Sequence, residues 1–435
     1  MNWFKQKGKL VNKAFDSLDN NLDNNLSDEY IREHRILKGK FADQQFTSDL
    51  SFRPSTINDY KITLNGITYI SETPEFEFIL EKDLVLEGTD FGGLDTDENP
   101  KPLFESLILP KCTVTKSSRG HFWWQPKIRY LDVSKLDTSN LINATNMFYD
   151  YLEQNTIIKG IDDLDYSNVE KMTSFVNEAR ISYNPTLYNL SKCKHIGFLF
   201  SYKDLNLKMT SLYAPIFETC EYLFWGSSGT VDFTGYSFPN NATNLEGLFK
   251  KSNVNIIGME NLDVSNVTKV SQLFYEYTGT PPKFNKWTTS QITNVDYMFA
   301  GIKTEILDLT GLTFPNCTSA QHFCSATLQG KNSPITTIKF GNLSFENLPF
   351  GNESVFCDLN HLTTITGTFK WSPNSSIDFG VSPLTNNSAM VIINSLPETE
   401  NNVYVQFKKS VYDSLTEEQI ATATSKGWTV KSFNN

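Results

Sequence analysis

The densest set of oxygen donors in the chain is Asp95-Thr96-Asp97-Glu98-Asn99, where alternate carboxylates can converge on one hard cation. A calcium loop of that kind turns on Gly at its sixth position and closes on Glu at its twelfth. Here those positions hold Pro100 and Ser106, so the run reads as an acidic surface turn. The five histidines, His34, His121, His195, His322 and His361, stand at no metal-ligand spacing from a Cys, His or carboxylate. No nucleophile elbow, phosphate loop or paired-carboxylate motif occurs. The sequence therefore assigns no catalytic residue, no metal and no cofactor. Carboxylates can still meet in space from distant positions, which keeps a glycan-degrading enzyme on a repeat scaffold as a third reading behind two binding readings.

Six cysteines in 435 residues make no disulfide framework. Cys193, Cys220, Cys317 and Cys324 replace apolar residues of a repeat and are expected to be buried, free thiols. Four Asn-x-Thr triplets, at Asn143, Asn241, Asn266 and Asn316, match the glycosylation pattern, but three of them fall where local backbone chemistry explains an Asn. The aromatics carry more. Tyr149 and Tyr151, Tyr202, Trp225, and Tyr275 and Tyr277 follow directly after repeated windows, so equivalent turns could align them on one edge as a sugar- or protein-binding row. The competing reading makes them staples that hold each turn on the next coil.

The elements that must position these side chains come from a repeat. Nine-residue windows recur at Asn140–Phe148, Asn168–Val176, Lys192–Phe200, Ile216–Phe224, Asn241–Phe249, Asn266–Phe274, Gln291–Phe299 and Asn316–Cys324. Their last residues are 28, 24, 24, 25, 25, 25 and 25 apart. A fixed period in this range means one unit stacked on copies of itself. Positions two, five, eight and nine are apolar throughout, a spacing that predicts a short helix with one buried face. Ser, Asn or Pro stands just before each window, as a helix start requires. On this reading His195 and His322 are solvated helix residues. Short alternating stretches upstream, such as Leu131-Asp132-Val133 and Ile306-Leu307-Asp308-Leu309, suit one rung of a narrow parallel sheet. At about 5 Å per rung, Cys193 and Cys317, five coils apart, sit on the order of 25 Å from each other, beyond disulfide reach.

The predicted fold is an α/β solenoid of about 25 residues per coil, a short parallel strand plus a short helix. The segments Leu136-Asp137-Thr138-Ser139-Asn140-Leu141 through Met147-Phe148 and Leu262-Asp263-Val264-Ser265-Asn266-Val267 through Leu273-Phe274 follow the pattern L-D-x-S-N-V-x-x-M-x-x-M-F. In this the chain resembles the BspA-like leucine-rich repeats of bacterial surface proteins, over roughly residues 125–380. The copies at 184–200 and 208–224 depart from the pattern in strand and cap.

Outside the repeat, residues 1–50 place Phe15, Leu18, Leu22 and Leu26 roughly on a helical face, where the lysines of 5–13 give way to the acidic, Asn-rich run DSLDNNLDNNLSDE, an attachment arm. Residues 51–124 alternate at Tyr60–Leu64 and Phe76–Leu80 and read as a small β-rich domain that caps the first coil, with Phe122-Trp123-Trp124 as a plug. Residues 381–435 form an α+β terminal cap, with a capping box at Thr416-Glu417-Glu418-Gln419 and a Lys426-Gly427 stop. The segment SLTEEQIATATSKGWTV resembles the terminal cap of repeat proteins carried by tailed phages of gut bacteria.

A net charge of −11 argues against nucleic acid or an anionic membrane as main partner. The N-terminus has no apolar stretch of a secretory signal, and no later run approaches a membrane span. Together these features imply a virion appendage, a fibre or adhesin made in the host cytoplasm. It would bind other virion proteins through its N-terminal region and a host-surface protein or glycan through its repeats. The alternative is a BspA-like adhesin on a bacterial cell.

Overall fold

The protein's structure, a computed structural model, describes residues 27–42, 60–64, 66–87, 91, 103–117, 122, 128–149, 156–176, 183–326 and 333–434. The chain divides into two compact units, Met1–Ser191 and Lys192–Asn435. The first joins the β-rich region and two of the repeated windows.

In the first unit, helix α1 (Asp28–His34) starts on Ser27, whose hydroxyl accepts the Tyr30 N–H at 3.2 Å. It is pinned by Asp83, which accepts the Tyr30 hydroxyl and the Arg35 guanidinium. Strand β1 (Ile36–Phe41) follows, then the hairpin β2 (Lys61–Leu64) and β3 (Ile67–Ile70), β4 (Glu75–Ile79), β5 (Val85–Leu86), β6 (Phe104–Ile108), β7 (Cys112–Val114), β8 (Tyr130–Asp132), β9 (Leu136–Asp137) and β10 (Ile157–Lys159). One sheet runs in the order β10-β8-β6-β1-β4, with β6, β8 and β10 parallel and β1 antiparallel to both neighbours. A second sheet, β5-β7-β9, is all parallel. Phe76 and Phe78 alternate inward from β4 and pack with Phe41 and Phe104. Phe122 is buried and stacks between Phe91 at 5.8 Å and Phe148 at 5.5 Å, the position of a plug; Trp123 and Trp124 lie outside the described residues.

The second unit carries the parallel sheets β11 (Asp204–Lys208), β12 (Ser228–Asp232), β13 (Asn255–Ile257) and β14 (Ile306–Asp308), β15 (Thr337–Ser344), β16 (Thr364–Lys370). Its end is built from β17 (Ile377–Phe379), α2 (Asn386–Ser395), β18 (Tyr404–Lys408), α3 (Lys409–Tyr412), α4 (Glu417–Thr424) and β19 (Thr429–Phe433), with β17-β18-β19 a parallel sheet. Helix α4 opens on a capping box of Thr416 and Gln419, and Gly427 ends the segment at φ +89°.

The windows are turns, not the short helices that their apolar spacing predicts. In the five coils from Lys192–Phe200 to Gln291–Phe299 the N–H groups of positions five, seven, nine and eleven donate to carbonyls of the next coil. Tyr222 to Glu246 (2.8 Å), Phe224 to Leu248 (3.0 Å) and Gly226 to Lys250 (2.9 Å) form one rung. The N–H groups of positions eight, ten and twelve close three-residue turns, as in Leu223 to Cys220 and Trp225 to Tyr222. The physical reason is that nine residues make a marginal helix, whereas stacked coils give every second amide a neighbour's carbonyl. The serines before the windows are not helix caps either. In Asp137-Thr138-Ser139 and Asp263-Val264-Ser265 the carboxylate accepts the serine N–H two residues on, at 3.0 and 2.9 Å, an Asx turn.

Core positions line up from coil to coil. At position five Ile196, Cys220, Leu245, Val270, Val295 and Ala320 are all fully buried, as are Leu199, Leu223, Leu248, Leu273, Met298 and Phe323 at position eight. At position nine Phe200, Phe224, Phe249, Phe274 and Phe299 stack as one ladder with centroid spacings of 5.6, 5.2, 5.7 and 5.6 Å. Offset ring stacking adds to their area burial.

Candidate binding face

The seventh residue of every window is left-handed: Asn146, Ser174, Phe198, Tyr222, Gly247, Gln272, Tyr297 and His322 all have φ between 52° and 61°. Only one is Gly, so seven L-residues hold a conformation that costs about 1–2 kcal/mol each. In the five coils from Lys192–Phe200 to Gln291–Phe299 the inter-coil bonds on either side of this residue impose it. This kink leaves the seven side chains at position seven half-buried at the surface between the buried fifth and eighth positions, Gly247 being buried under the Tyr222 ring. Positions ten and eleven reach the surface of the same turn wherever they carry a large side chain.

In the second unit these positions form a continuous contact row over six coils. Phe198 stacks on Tyr222 at 4.9 Å, and Tyr202 leans on Trp225 at 5.1 Å. Lys250 Nζ sits 5.2 Å from the Tyr222 centroid and 5.0 Å from that of Tyr275. Tyr275 meets Tyr297 at 6.3 Å, and Tyr297 stacks on His322 at 5.0 Å. Two glycines make the close fit possible. A Cβ at Gly247 would stand 2.3 Å from the Tyr222 ring, and one at Gly226 would stand 2.6 Å from the Tyr202 ring. Tyr202 is 47% exposed; Tyr222, Trp225, Tyr275 and Tyr297 are half-buried.

Polar side chains beside the row are paired with one another. Glu246 accepts Lys269 Nζ and, at 3.3 Å, the Tyr222 hydroxyl. Glu221 accepts the Asn244 amide at 2.9 Å, Lys251 lies 3.6 Å from Glu276, and Asp296 accepts the Ser319 hydroxyl at 2.7 Å. Burial, aided by Glu246, pushes the Tyr222 hydroxyl up to about 12, and burial lowers the Lys250 ammonium. The row thus presents neutral rings and one ring-covered cation, flanked by nearly balanced charges of both signs, Glu221, Glu246, Glu276 and Asp296 against Lys250, Lys251 and Lys269.

Of the six aromatics proposed from the sequence, Tyr202, Trp225 and Tyr275 lie on this row. Tyr277 does not. It is 0% exposed, its ring packs on Phe274 at 5.4 Å and its hydroxyl donates to the Val254 carbonyl. The reason is positional: Tyr277 is the twelfth residue of its coil, which points inward, as Ser227, Ser252 and Ile302 also do. Tyr149 is a half-buried tenth-position residue of the first unit. Tyr151, the attachment residues Phe15, Leu18, Leu22 and Leu26, and the acidic run at Asp95 lie outside the described residues. The sequence reading missed Phe198, Tyr222, Lys250 and Tyr297. It also placed His195 and His322 as merely solvated, whereas His195 Nδ1 is 3.0 Å from the Thr219 hydroxyl and His322 Nδ1 is 3.3 Å from Cys357 Sγ. The overlooked signal was Asn146 and Gly247 at the seventh position, residue types that favour left-handed backbone.

Cys112, Cys193, Cys220, Cys317 and Cys324 are buried and stand in no disulfide, and Cys357 is half-buried. Among the described residues no group of three or more His, Cys, Asp or Glu is placed to hold a metal, and no helix is long and apolar enough to cross a membrane. The side-chain amides of Asn241 and Asn316 donate to the Ile216 and Ser290 carbonyls at 2.6 and 2.9 Å, so the nitrogens a glycan would use are engaged between coils.

Residues 119–230 and 240–336 match a family model described as Mycoplasma protein of unknown function, DUF285. It is a family of Mycoplasma-type repeat proteins related to BspA-like surface proteins. No curated protein and no solved structure matches the chain.

Proposed function

We propose that the chain is a non-enzymatic recognition protein, a BspA-like leucine-rich-repeat solenoid that binds proteins or glycans on a host surface or its matrix. The observation that carries this reading is the contact row from Tyr202 to His322, one surface assembled from six successive coils. Each coil is locked to the next by main-chain bonds, so little side-chain or backbone freedom is lost when a partner docks. Large, stiff rings with polar tips are the side chains that concentrate binding energy at such surfaces. Recognition of this kind needs no cofactor and no bond-making step.

The placement proposed is the virion of a tailed phage, with residues 1–50 joining other virion proteins through Phe15, Leu18, Leu22 and Leu26. The terminal-cap segment SLTEEQIATATSKGWTV supports it. A second reading, an adhesin on a bacterial cell, is favoured by the match to the Mycoplasma family. Mass-spectrometric composition of purified particles and of cell-envelope fractions separates the two. Peptides of this chain in stoichiometric amount in particles support the virion, enrichment in the envelope supports the adhesin, and presence in neither overturns both placements.

A further inference from the structure

We infer that the row is a binding face for a neutral, linear, extended glycan that lies along the coil stack, one sugar unit per coil. The inference rests on the recognition reading above and names its ligand class. The first observation is periodicity. The row offers a ring or a ring-covered cation at each of six consecutive coils: Tyr202 and Phe198, then Trp225 and Tyr222, then Lys250, Tyr275, Tyr297 and His322. Coils joined by parallel main-chain bonds advance by about 4.8 Å, so five steps span roughly 24 Å. A pyranose in an extended chain advances by about the same distance as one such rung. A periodic surface is best matched by a periodic ligand, because each added unit repeats the same contact.

The second observation is charge. Glu246 is ion-paired with Lys269 and Lys251 with Glu276, Glu221 and Asp296 are held by the neutral Asn244 and Ser319, and Lys250 lies over two rings while donating to Gln272 Oε1, so four carboxylates stand against three ammoniums along the face. A polyanion or polycation would meet its own sign as well as the opposite one along this nearly balanced face, and would have to break the two ion pairs to gain more. A hydroxyl-rich neutral chain would keep them and use their remaining lone pairs and N–H groups. The apolar C–H faces of sugars stack on ring faces, and Tyr202, the most exposed ring, has the Trp225 ring beside it to extend that platform. A compact protein epitope would be served by a central pocket ringed with polar groups, and the row is instead long and narrow.

The test uses the full chain and neutral β-1,4-linked oligosaccharides of two, four, six and eight units, built from glucose, xylose or mannose. A polyuronate serves as the charged comparison, and affinities are read by calorimetry. The expected result, for at least one sugar type, is a Kd that falls by about tenfold or more from two to six units and then levels, six being the number of coils. Tyr202→Ala, on an exposed ring, should raise the hexamer Kd severalfold with a nearly unchanged melting midpoint, and Tyr297→Ala, on a half-buried ring stacked on His322, should do so with a midpoint lowered by no more than a few degrees. Trp225→Ala should raise it by about tenfold. Any of three results overturns the proposal: no neutral oligosaccharide binds, the hexamer binds no tighter than the dimer, or both tyrosine variants keep the wild-type Kd. Tighter binding of the polyuronate would also overturn it. If cells still bind the chain while all oligosaccharides fail, the recognition reading survives and the glycan assignment falls; if neither binds, both fall.

Discussion

In a helix, Ala at an interior position is more stable than Gly by about 1 kcal/mol, because Gly gives up more backbone entropy. In a left-handed turn the order reverses. Gln272 sits at φ +57°, flanked by N–H groups that donate to the next coil. An L-residue there costs about 1–2 kcal/mol relative to the right-handed region, and Gly avoids that while losing about 0.5–1 kcal/mol of unfolded-state entropy. Gln272→Gly should therefore be more stable than Gln272→Ala by about 0.5–1 kcal/mol. Both variants lose the same side-chain contacts, Lys250 to Oε1 and the weak bond to Glu246, so the difference isolates the backbone. Urea denaturation followed by circular dichroism gives the two midpoints under one condition. A repeat array can unfold in more than one step, so the comparison should be of the transition that includes this coil. An Ala variant more stable than the Gly variant would refute the turn geometry and restore the helical reading of the windows.

Leu248→Asp places a charge in a column that is fully buried, and should cost about 4 kcal/mol, read as a large drop in urea midpoint; a change under about 1 kcal/mol would contradict the column. Hydrogen bonds from Ser139 and Ser265 hold the Asp137 and Asp263 carboxyls below their ordinary value. A depressed carboxylate contributes stability that is present above its unfolded pKa and lost as pH falls through its folded one. Stability should thus decline below about pH 4, and Asp263→Asn, which keeps the turn acceptor, should flatten that decline in acid titrations. Burial raises the thiols of Cys220, Cys317, Cys324 and Cys357 alike, but only Cys357 is half-exposed, so a thiol reagent should leave the first three unlabelled in the native chain and modify Cys357 first; rapid labelling of Cys220 would show the core to be open.

The core was legible in the sequence because it depends on which positions repeat as apolar. Leu245, Leu248, Val270 and Leu273 belong to one buried set whether the window is a helix or a chain of turns, since spacings of three and four satisfy both. The backbone between them was not legible on that ground. The sign of φ leaves no hydrophobic signature, and Tyr222, Tyr297 and Phe198 occupy left-handed positions that their residue type disfavours. Only the inter-coil bonds hold them there, and these are long-range. The same limit explains the site. Tyr275 and Tyr277 look alike in sequence, two residues apart after one window, yet one is on the surface row and one is in the core. A left-handed residue between them, Glu276 at φ +52°, sets their opposite directions. The cap was easier, because Thr416, Gln419 and Gly427 act through local chemistry that three or four residues specify.

The most direct test of recognition by this face is adsorption of the labelled full chain to intact cells, comparing the wild type with a Trp225→Ala, Tyr275→Ala double variant. Melting midpoints are measured on the same samples. If the row binds the partner, adsorption falls by about tenfold or more while the midpoint shifts by no more than a few degrees. Unchanged adsorption with a midpoint lowered by many degrees would make the rings coil-to-coil staples and would contradict the binding face.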